Sequence, residues 1–183
     1  MKVETRYFTL GDGRDILLRA PVNSDAQSLI EFHKRVSDET HYLTGYGDEI
    51  RDTVEHERKF IDGLNDSERD FMICAFYDGD LIGNVSVCCV SNKFKRKHRA
   101  EIAISVVKDF WNFGIGSKLM EDAITQAKDN GFEQIELGVF ADNDRAIKLY
   151  GRYGFAETGR IPRAYHLYDD SYIDELEMVK LLN

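Results

Sequence analysis

The sequence predicts one domain of mixed α/β class, built on a largely antiparallel sheet. Segments in which apolar residues alternate, as in strands, are interspersed with segments in which they recur at helical spacing. Several strand-like segments follow one another across short turns, which is typical of antiparallel pairing. No internal repeat, low-complexity tract or interdomain linker divides the 183 residues. We therefore treat residues 1–183 as a single domain.

The composition is that of an ordinary soluble globule, with 43% hydrophobic and 31% charged residues. The formal charge of −9 disfavours nucleic acids and anionic membranes as partners. The first residues contain no apolar core of a signal peptide, and no stretch is long enough to span a membrane. The three cysteines, two of them adjacent at Cys88 and Cys89, form no disulfide framework. These features predict a cytoplasmic protein with reduced cysteines.

Turn signals separate the candidate strands. A Gly-Asp-Gly turn at residues 11–13 divides the first two, and the Asp-Gly pair at residues 78–79 is a strong hairpin signal. We interpret the basic run at residues 93–99 as an exposed hairpin tip rather than a nucleic-acid site, because the chain as a whole is acidic. The predicted strands cover residues 5–10, 14–20, 71–77, 81–90, 101–107, 133–140, 155–168 and 172–182.

Four segments have helical spacing. The first begins at a cap, Asn23 or Ser24, and carries His33 on its apolar side, where we expect a core or boundary histidine. The second ends near Gly63, and residues 39–50 between these helices form either a binding loop or a solvated connector. The predicted helices cover residues 24–38, 52–64, the segment from Gly116 to Gly131, and 143–153.

Residues 101–120 combine a strand, a glycine turn and the start of a helix. Apolar residues alternate from Ile102 to Val106, and an apolar stripe at helical spacing follows Gly114 and Gly116. A glycine loop that opens a helix presents unpaired N–H groups at the positive end of the helix dipole. This arrangement suits a phosphate group.

The glycine spacing excludes two common phosphate-binding loops. Residues 111–120 contain neither GxxxxGK[ST] nor the third glycine of a dinucleotide-binding fingerprint. The short GxG turn after a strand resembles the pyrophosphate loop of the GCN5-related N-acetyltransferases (GNAT). Arg or Gln is usual in that family three residues before the first glycine, and Trp111 at this position is a departure. Taken alone, the loop is equally compatible with a simple turn between a strand and a helix.

Residues 139–155, VFADNDRAIKLYGRYGF, supply a second motif. They resemble the family segment N-x-x-A-x-x-L-Y-x-x-x-G-F, with matches at Asn143, Ala146, Leu149, Tyr150, Gly154 and Phe155. The two motifs come in the order usual for the family, with a helix and a strand between them. The chain is therefore identified as a member of the GCN5-related N-acetyltransferases, with the resemblance covering roughly residues 70–180.

The resemblance implies the GNAT fold, a twisted and largely antiparallel sheet with helices on both faces and a V-shaped splay between its two central strands. It also implies acetyl-CoA as cosubstrate and no metal. The pantetheine arm would enter the splay and pair with the strand near Val106, and the pyrophosphate would rest on the glycine loop. The residues expected to bind the cosubstrate are Val106, Val107, Phe113, Gly114, Ile115, Gly116, Ser117 and Asn143.

The resemblance further implies that an amine attacks the thioester directly, while a backbone N–H near Val106 polarises its carbonyl. Asn143 and Tyr150 lie two helical turns apart on one face, so Tyr150 is the candidate that protonates the leaving thiolate. A tyrosine packed in the core is the alternative. Glu101 is the candidate that accepts the proton of the amine, and a plain surface carboxylate is the alternative. A covalent route through a cysteine lacks an evident base.

The acceptor is expected to be a small primary amine or an amino acid. The acidic residues 38–49 suit a cation, and Tyr172 and Asp174 occupy a place typical of small-molecule members. The alternatives are a protein N-terminal or lysine acetyltransferase and a non-catalytic module that binds acyl-CoA. Intact Asn143 and Tyr150 argue against the non-catalytic module. The sequence leaves open whether the protein forms a homodimer.

Overall fold

Eight strands and four α-helices follow one another through residues 3–182, the part of the chain that the computed structural model describes. The elements are β1 (Arg6–Thr9), β2 (Asp15–Arg19), α1 (Ala26–Glu39), α2 (Val54–Asp66), β3 (Phe71–Tyr77), β4 (Asp80–Cys89), β5 (Arg99–Val106), α3 (Ile115–Asp129), β6 (Gln134–Phe140), α4 (Asp144–Arg152), β7 (Ala156–His166) and β8 (Tyr172–Leu181). This order confirms the predicted mixed α/β class. Within the same residues, no helix is both long and apolar enough to cross a membrane.

All eight strands belong to one sheet, in the order β1-β2-β3-β4-β5-β6-β8-β7. Every neighbouring pair is antiparallel except β5 and β6, which run parallel. These two strands pair only from Arg99, opposite Gln134, to Glu101, opposite Glu136. Beyond Glu101 they separate, which confirms the predicted V-shaped splay near the middle of the sheet.

Helices cover both faces of the sheet, as predicted. A Cβ placed on Gly83 of β4 would lie 3.4 Å from Leu119 of α3, whereas the side chain of the next residue, Asn84, contacts His33 of α1 at 3.3 Å. Because successive residues of a strand point to opposite faces, α1 and α3 lie on opposite sides of the sheet. The predicted apolar stripe of α3 is buried at Leu119, Met120, Ala123 and Ala127.

The predicted start of the first helix is wrong. A 3₁₀ turn over Asn23–Asp25 precedes α1, and neither Asn23 nor Ser24 caps the helix. The Asn23 amide instead donates to Asp62 at 2.9 Å. The carboxylate of Asp25 accepts the Val22 N–H at 2.8 Å, so this side chain closes the turn that leads into the helix.

The predicted end of the second helix is also wrong, because α2 continues through Gly63 to Asp66. Leu64 is buried on the apolar face of α2, and its packing extends the helix past the glycine. The expected helix ends at Gly131 and Gly154 are confirmed, since both residues follow a helix with positive φ, +77° and +83°.

Candidate active site

A continuous cleft of about 630 Å³ occupies the gap where β5 and β6 separate. Residues of β5, the glycine loop and α4 form one end, and residues of α1 and of the loop between α1 and α2 form the other. Among the predicted site residues, the cleft is lined by Glu101, Val106, Gly114, Gly116, Ser117, Asn143 and Tyr150. The fold therefore brings both motifs and the candidate acid and base to one cavity.

The edge of β5 that faces the gap carries free backbone groups. The Val107 N–H donates to the Ile82 carbonyl at 3.0 Å, so it belongs to the pairing with β4. Hydrogen-bonded and non-bonded positions alternate along an antiparallel pair, so the N–H groups of Ile104 and Val106 point into the gap. The Val106 carbonyl is already occupied, because the indole N–H of Trp111 donates to it at 2.6 Å. Val106 and Val107 were both expected to bind the cosubstrate, and of the two only Val106 faces the cleft.

The glycine loop opens α3 in the predicted manner. Gly114 has φ of +87°, and Asn112 reaches +67°, which turns the chain sharply before the helix. The first intrahelical bond runs from the Lys118 N–H to the Gly114 carbonyl at 2.9 Å. The preceding N–H groups, of Ile115, Gly116 and Ser117, therefore have no partner within the helix and point out of its positive end.

The Phe113 side chain lies away from this helix end. It packs on Phe110 and against the guanidinium of Arg14, 4.4 Å from the ring centroid. Phe113 does not line the cleft, although its ring is exposed beside the loop.

One face of α4 fixes the helix against the loop. A Cβ placed on Gly116 would lie 3.7 Å from Leu149, and the Tyr153 hydroxyl donates to the Ser117 carbonyl at 2.8 Å. Arg145, one turn before Leu149, stacks on the Trp111 ring at 3.4 Å from its centroid. Residues four apart share a helix face, so this stripe places α4 along the whole glycine loop.

Asn143 and Tyr150 lie on the cleft side of α4. The Asn143 side-chain oxygen accepts the Ala146 N–H at 3.1 Å and caps the helix, which leaves its amide NH₂ for a ligand. Tyr150 is buried, and its hydroxyl makes no hydrogen bond within residues 3–182. Burial raises the pKa of Tyr150 to about 12, although nearby Arg145 acts in the opposite direction. Its hydroxyl is therefore protonated at neutral pH and can donate.

Glu101 lies at the apex of the splay, where its side chain is exposed and lines the cleft. Its backbone pairs with Glu136, whose carboxylate is bound to Arg99 at 2.6 Å. The five-residue step from Glu101 to Val106 corresponds to roughly 16 Å along a strand. The N–H of Ile104, which the sequence did not single out, is closer to Glu101 than that of Val106. A proton would reach Glu101 through water.

His33 is a half-buried boundary residue, as expected, and it also lines the cleft. Its Nε2 lies 3.3 Å from the Asn84 amide, and burial lowers its pKa while Asp52 acts in the opposite direction. The imidazole is therefore neutral at neutral pH. The sequence showed only an apolar helix face around His33, and Asn84, which places the ring at the cleft, is 51 residues away.

Two contacts join the loop at residues 39–50 to distant segments beside the cleft. The rings of Tyr46 and Tyr168 stack with their centroids 3.7 Å apart, and the Tyr168 N–H donates to the Tyr46 hydroxyl at 3.0 Å. We call this contact the tyrosine clasp. His41 and Asp142 form a second tie at 2.9 Å. The loop at residues 39–50 is thus a wall of the cleft.

A smaller cavity of about 260 Å³ lies beside the main cleft, between the loop at residues 39–50 and the end of β7. Tyr165 lines both cavities, and its hydroxyl is hydrogen-bonded to the Glu175 carboxylate. Tyr172 and Asp174, which the sequence placed near the acceptor, line neither cavity. Tyr172 stacks on His166, and Asp174 binds Arg160 and the Arg163 N–H.

The cysteines are unsuited to a covalent intermediate. Cys74, Cys88 and Cys89 are all free thiols, and none of them lines the cleft. Burial raises the pKa of Cys88 to about 11, and the nearby Asp70 and Glu101 add to the shift. A thiol with so high a pKa holds little thiolate at neutral pH and is a poor nucleophile.

The sequence pattern of the Acetyltransferase (GNAT) family matches residues 29–155. This match spans more than half of the chain, so the protein belongs to the GNAT family and is an acetyl-CoA-dependent acyltransferase. Among its relatives, the L-amino acid N-acetyltransferase AaaT of Escherichia coli is 35% identical over 111 residues, 60% of this chain and 67% of that protein.

Solved structures agree with this assignment. A GNAT-family acetyltransferase from Streptococcus pneumoniae superposes with a TM-score of 0.87 at 31% identity, covering 91% of this chain and 99% of that one. The yncA structure of Salmonella typhimurium, solved with its cofactor acetyl-CoA, has a TM-score of 0.81 at 17% identity over 92% and 94% of the two chains. At that identity the second comparison shows a common fold.

Proposed function

We propose that this protein transfers the acetyl group of acetyl-CoA directly to the primary amine of a small molecule, with amino acids as the first candidate class. The observation that carries the proposal is the single cleft that joins the glycine loop to an end lined by side chains of α1 and of the loop at residues 39–50. The two substrates can meet in such a cleft, so the reaction needs no acetylated enzyme.

The cosubstrate would be held mainly by backbone groups. The pyrophosphate would accept hydrogen bonds from the N–H groups of Ile115, Gly116 and Ser117 at the positive end of α3. The pantetheine arm would extend along β5 and use the groups of Ile104 and Val106 that face the gap, like an added strand. The NH₂ of Asn143 would meet an amide oxygen of the arm. An N–H directed at the thioester oxygen stabilises the charge that develops during attack.

Two side chains would handle the protons. Tyr150, whose raised pKa keeps it protonated, would donate to the leaving thiolate. Glu101 would accept the proton of the attacking amine through water, because it lies on the cleft wall some distance from Val106. A backbone N–H would thus stabilise the charge on the thioester oxygen, and two different side chains would carry out the two proton transfers.

The loop at residues 39–50 supports a small acceptor. Part of this loop lines the cleft, and the tyrosine clasp and the tie between His41 and Asp142 hold it against distant segments, which would restrict access for a peptide chain. Glu101 and Asp52 line the cleft and favour an ammonium group. The activity in the name of the Escherichia coli relative points to the same class of acceptor.

The experiment is a screen for CoA release from acetyl-CoA by the purified protein, with amino acids, small amines and short peptides as acceptors. We expect release with a subset of the small amines and none without an acceptor. Release only with peptides would favour the protein acetyltransferase. Tight acetyl-CoA binding without release for any acceptor would favour the non-catalytic module.

We also propose a cytoplasmic location and no nucleic-acid or membrane partner. The free thiols of Cys74, Cys88 and Cys89 and the formal charge of −9 support this proposal. Homodimer formation stays a prediction, which analytical ultracentrifugation would test.

A further inference from the structure

Arg145 is a cation at the cleft without an ionic partner. Its guanidinium carbon lies over the Trp111 ring, 3.4 Å from the centroid, and both residues line the cleft. Within residues 3–182 it forms no ion pair, although acidic residues outnumber basic ones by 33 to 24 in the chain. Burial lowers the pKa of Arg145, but a guanidinium stays charged at neutral pH. The Arg145 side chain is exposed at the cleft, so its N–H donors are accessible to an anionic ligand.

Trp111 holds this cation in a defined orientation. Its indole N–H donates to the Val106 carbonyl at 2.6 Å, so one edge of the ring is tied to the end of β5 and one face is turned to α4. A guanidinium stacked on an aromatic ring keeps its N–H donors in a plane and directed outward from the ring. That plane matches the geometry of a phosphate group, which takes two parallel hydrogen bonds from Arg.

The position of Arg145 on α4 relates it to the glycine loop. Leu149 and Tyr153 follow it at four-residue intervals and contact Gly116 and Ser117, so the same helix face runs along the loop. Arg145 therefore lies at the mouth of the loop, between the unpaired N–H groups that begin α3 and the edge of β5 on which the pantetheine arm would lie.

We propose that Arg145 binds the pyrophosphate of acetyl-CoA together with the loop N–H groups, and that Trp111 is the residue that positions it. This inference rests on the proposed function, because it assigns a residue to the cosubstrate of that reaction. The pyrophosphate is favoured over the 3′-phosphate because it adjoins the pantetheine arm, and Trp111 is bonded to β5 itself.

The test measures dissociation constants by calorimetry for wild type, Arg145→Ala, Arg145→Lys and Lys148→Ala, with acetyl-CoA and acetyl-dephospho-CoA. Lys148 is an exposed cation on α4 that does not line the cleft, so it is the matched control. Loss of charge-assisted hydrogen bonds should weaken the binding of both ligands about tenfold to a hundredfold in Arg145→Ala. Arg145→Lys should fall between Arg145→Ala and wild type, and Lys148→Ala should match wild type.

Three other binding results would contradict the proposal or the function on which it rests. Equal affinities of Arg145→Ala and Lys148→Ala would overturn the proposal. A loss for acetyl-CoA but not for acetyl-dephospho-CoA would assign Arg145 to the 3′-phosphate and overturn the pyrophosphate contact. A wild-type protein that does not bind acetyl-CoA would overturn the proposed function as well. Inorganic pyrophosphate should raise the melting temperature of wild type more than that of Arg145→Ala.

The role of Trp111 is tested by a double-mutant cycle. Trp111→Ala should weaken acetyl-CoA binding about threefold to tenfold, and in an Arg145→Ala background it should add little, because Trp111 acts through Arg145. Trp111→Phe retains an aromatic face and should lose less than Trp111→Ala. Fully additive effects of the Trp111 and Arg145 changes would contradict a positioning role for Trp111.

Discussion

The two ends of the cleft are built in different ways. At the cosubstrate end, the groups that face the cleft are mostly backbone N–H groups of β5 and of the start of α3, within the short span 104–117. At the acceptor end they are side chains of α1 and of the loop at residues 39–50, and contacts across long sequence separations hold this loop in place. The tyrosine clasp connects residues 122 apart, and the tie between His41 and Asp142 connects residues 101 apart.

This difference separates the binding of the cosubstrate from the selection of the acceptor amine. Backbone recognition depends on local conformation, which a strand, two glycines and a helix start are sufficient to define. Side-chain recognition depends on how distant segments pack, and a few substitutions can change it without altering the sheet. We therefore expect changes at the cosubstrate end to abolish all activity, and changes at the acceptor end to alter the preference for the amine.

The largest effect is expected for Gly114→Val. Gly114 has φ of +87°, a conformation that a β-branched residue adopts only with strain, so the loop should reorient and its N–H groups should diverge. Acetyl-CoA binding should weaken at least about a hundredfold, as measured by calorimetry.

Gly131→Val is the matched control for this change. Gly131 has φ of +77° and, like Gly114, has open space around a would-be Cβ, but it lies at the other end of α3, about 22 Å away. Both variants should lose similar thermal stability, and only Gly114→Val should lose binding. Equal loss of binding in the two variants would show that global destabilisation, not the loop, is responsible.

Tyr150→Phe should have the next largest effect, on turnover. The change preserves the buried ring and removes only the hydroxyl, so kcat should fall by about 10² while the affinity for acetyl-CoA stays unchanged. Tyr153→Phe, on the same helix, removes a hydroxyl that is bonded to the Ser117 carbonyl. It should cost about 1 kcal/mol of unfolding free energy and little kcat. Turnover of Tyr150→Phe equal to wild type would mean that another group protonates the thiolate.

Glu101→Gln should reduce turnover about tenfold near neutral pH and recover partly as the pH rises, because a larger fraction of the amine is then unprotonated. The turnover of wild type and Glu101→Gln can be compared at alkaline pH, because Tyr150, with its pKa raised to about 12, still holds its proton there. Glu133→Gln, at an exposed residue outside the cleft, is the control. Parallel pH profiles for wild type and Glu101→Gln would remove Glu101 from the mechanism.

The difference between the cosubstrate end and the acceptor end of the cleft explains which features could be predicted from the sequence. The strands and the two motifs that define the cosubstrate end are local patterns, and the structure contains them at the expected places. Which of Val106 and Val107 faces the gap could not be predicted, because strand alternation alone does not reveal which neighbour each residue faces. Only the bond to Ile82 decides that Val107 turns away from the gap.

The acceptor end could not be predicted in the same way. His33 was expected to be a core or boundary residue, and its place at the cleft was not predictable because it depends on the contact with Asn84 in another element. Tyr46 and Tyr168 carry no motif, and their contact exists only because a loop and a hairpin meet in the folded chain. The end of α2 was mispredicted for a similar reason, since burial of Leu64 outweighs the low helix propensity of Gly63.

The smallest effect is expected for the tyrosine clasp. Tyr168→Ala removes the stacking on Tyr46 and should raise KM for the amine about threefold to tenfold, with the affinity for acetyl-CoA unchanged. Tyr7→Ala is the control, because Tyr7 is 69% exposed and Tyr168 is 68% exposed, but Tyr7 lies on β1 away from the cleft. A change in acetyl-CoA affinity rather than in KM for the amine would contradict the division between the two ends.

The most direct test of the account follows the acetyl group itself. The purified protein is incubated with isotopically labelled acetyl-CoA, first alone and then with an amine that supports CoA release, and intact-protein mass and labelled products are recorded at each stage. The account predicts no acetylated protein and no CoA release before the amine is added, then stoichiometric label on the amine. Label retained on the protein, at Cys88, Cys89 or elsewhere, and passed on to the amine would contradict direct transfer in the cleft.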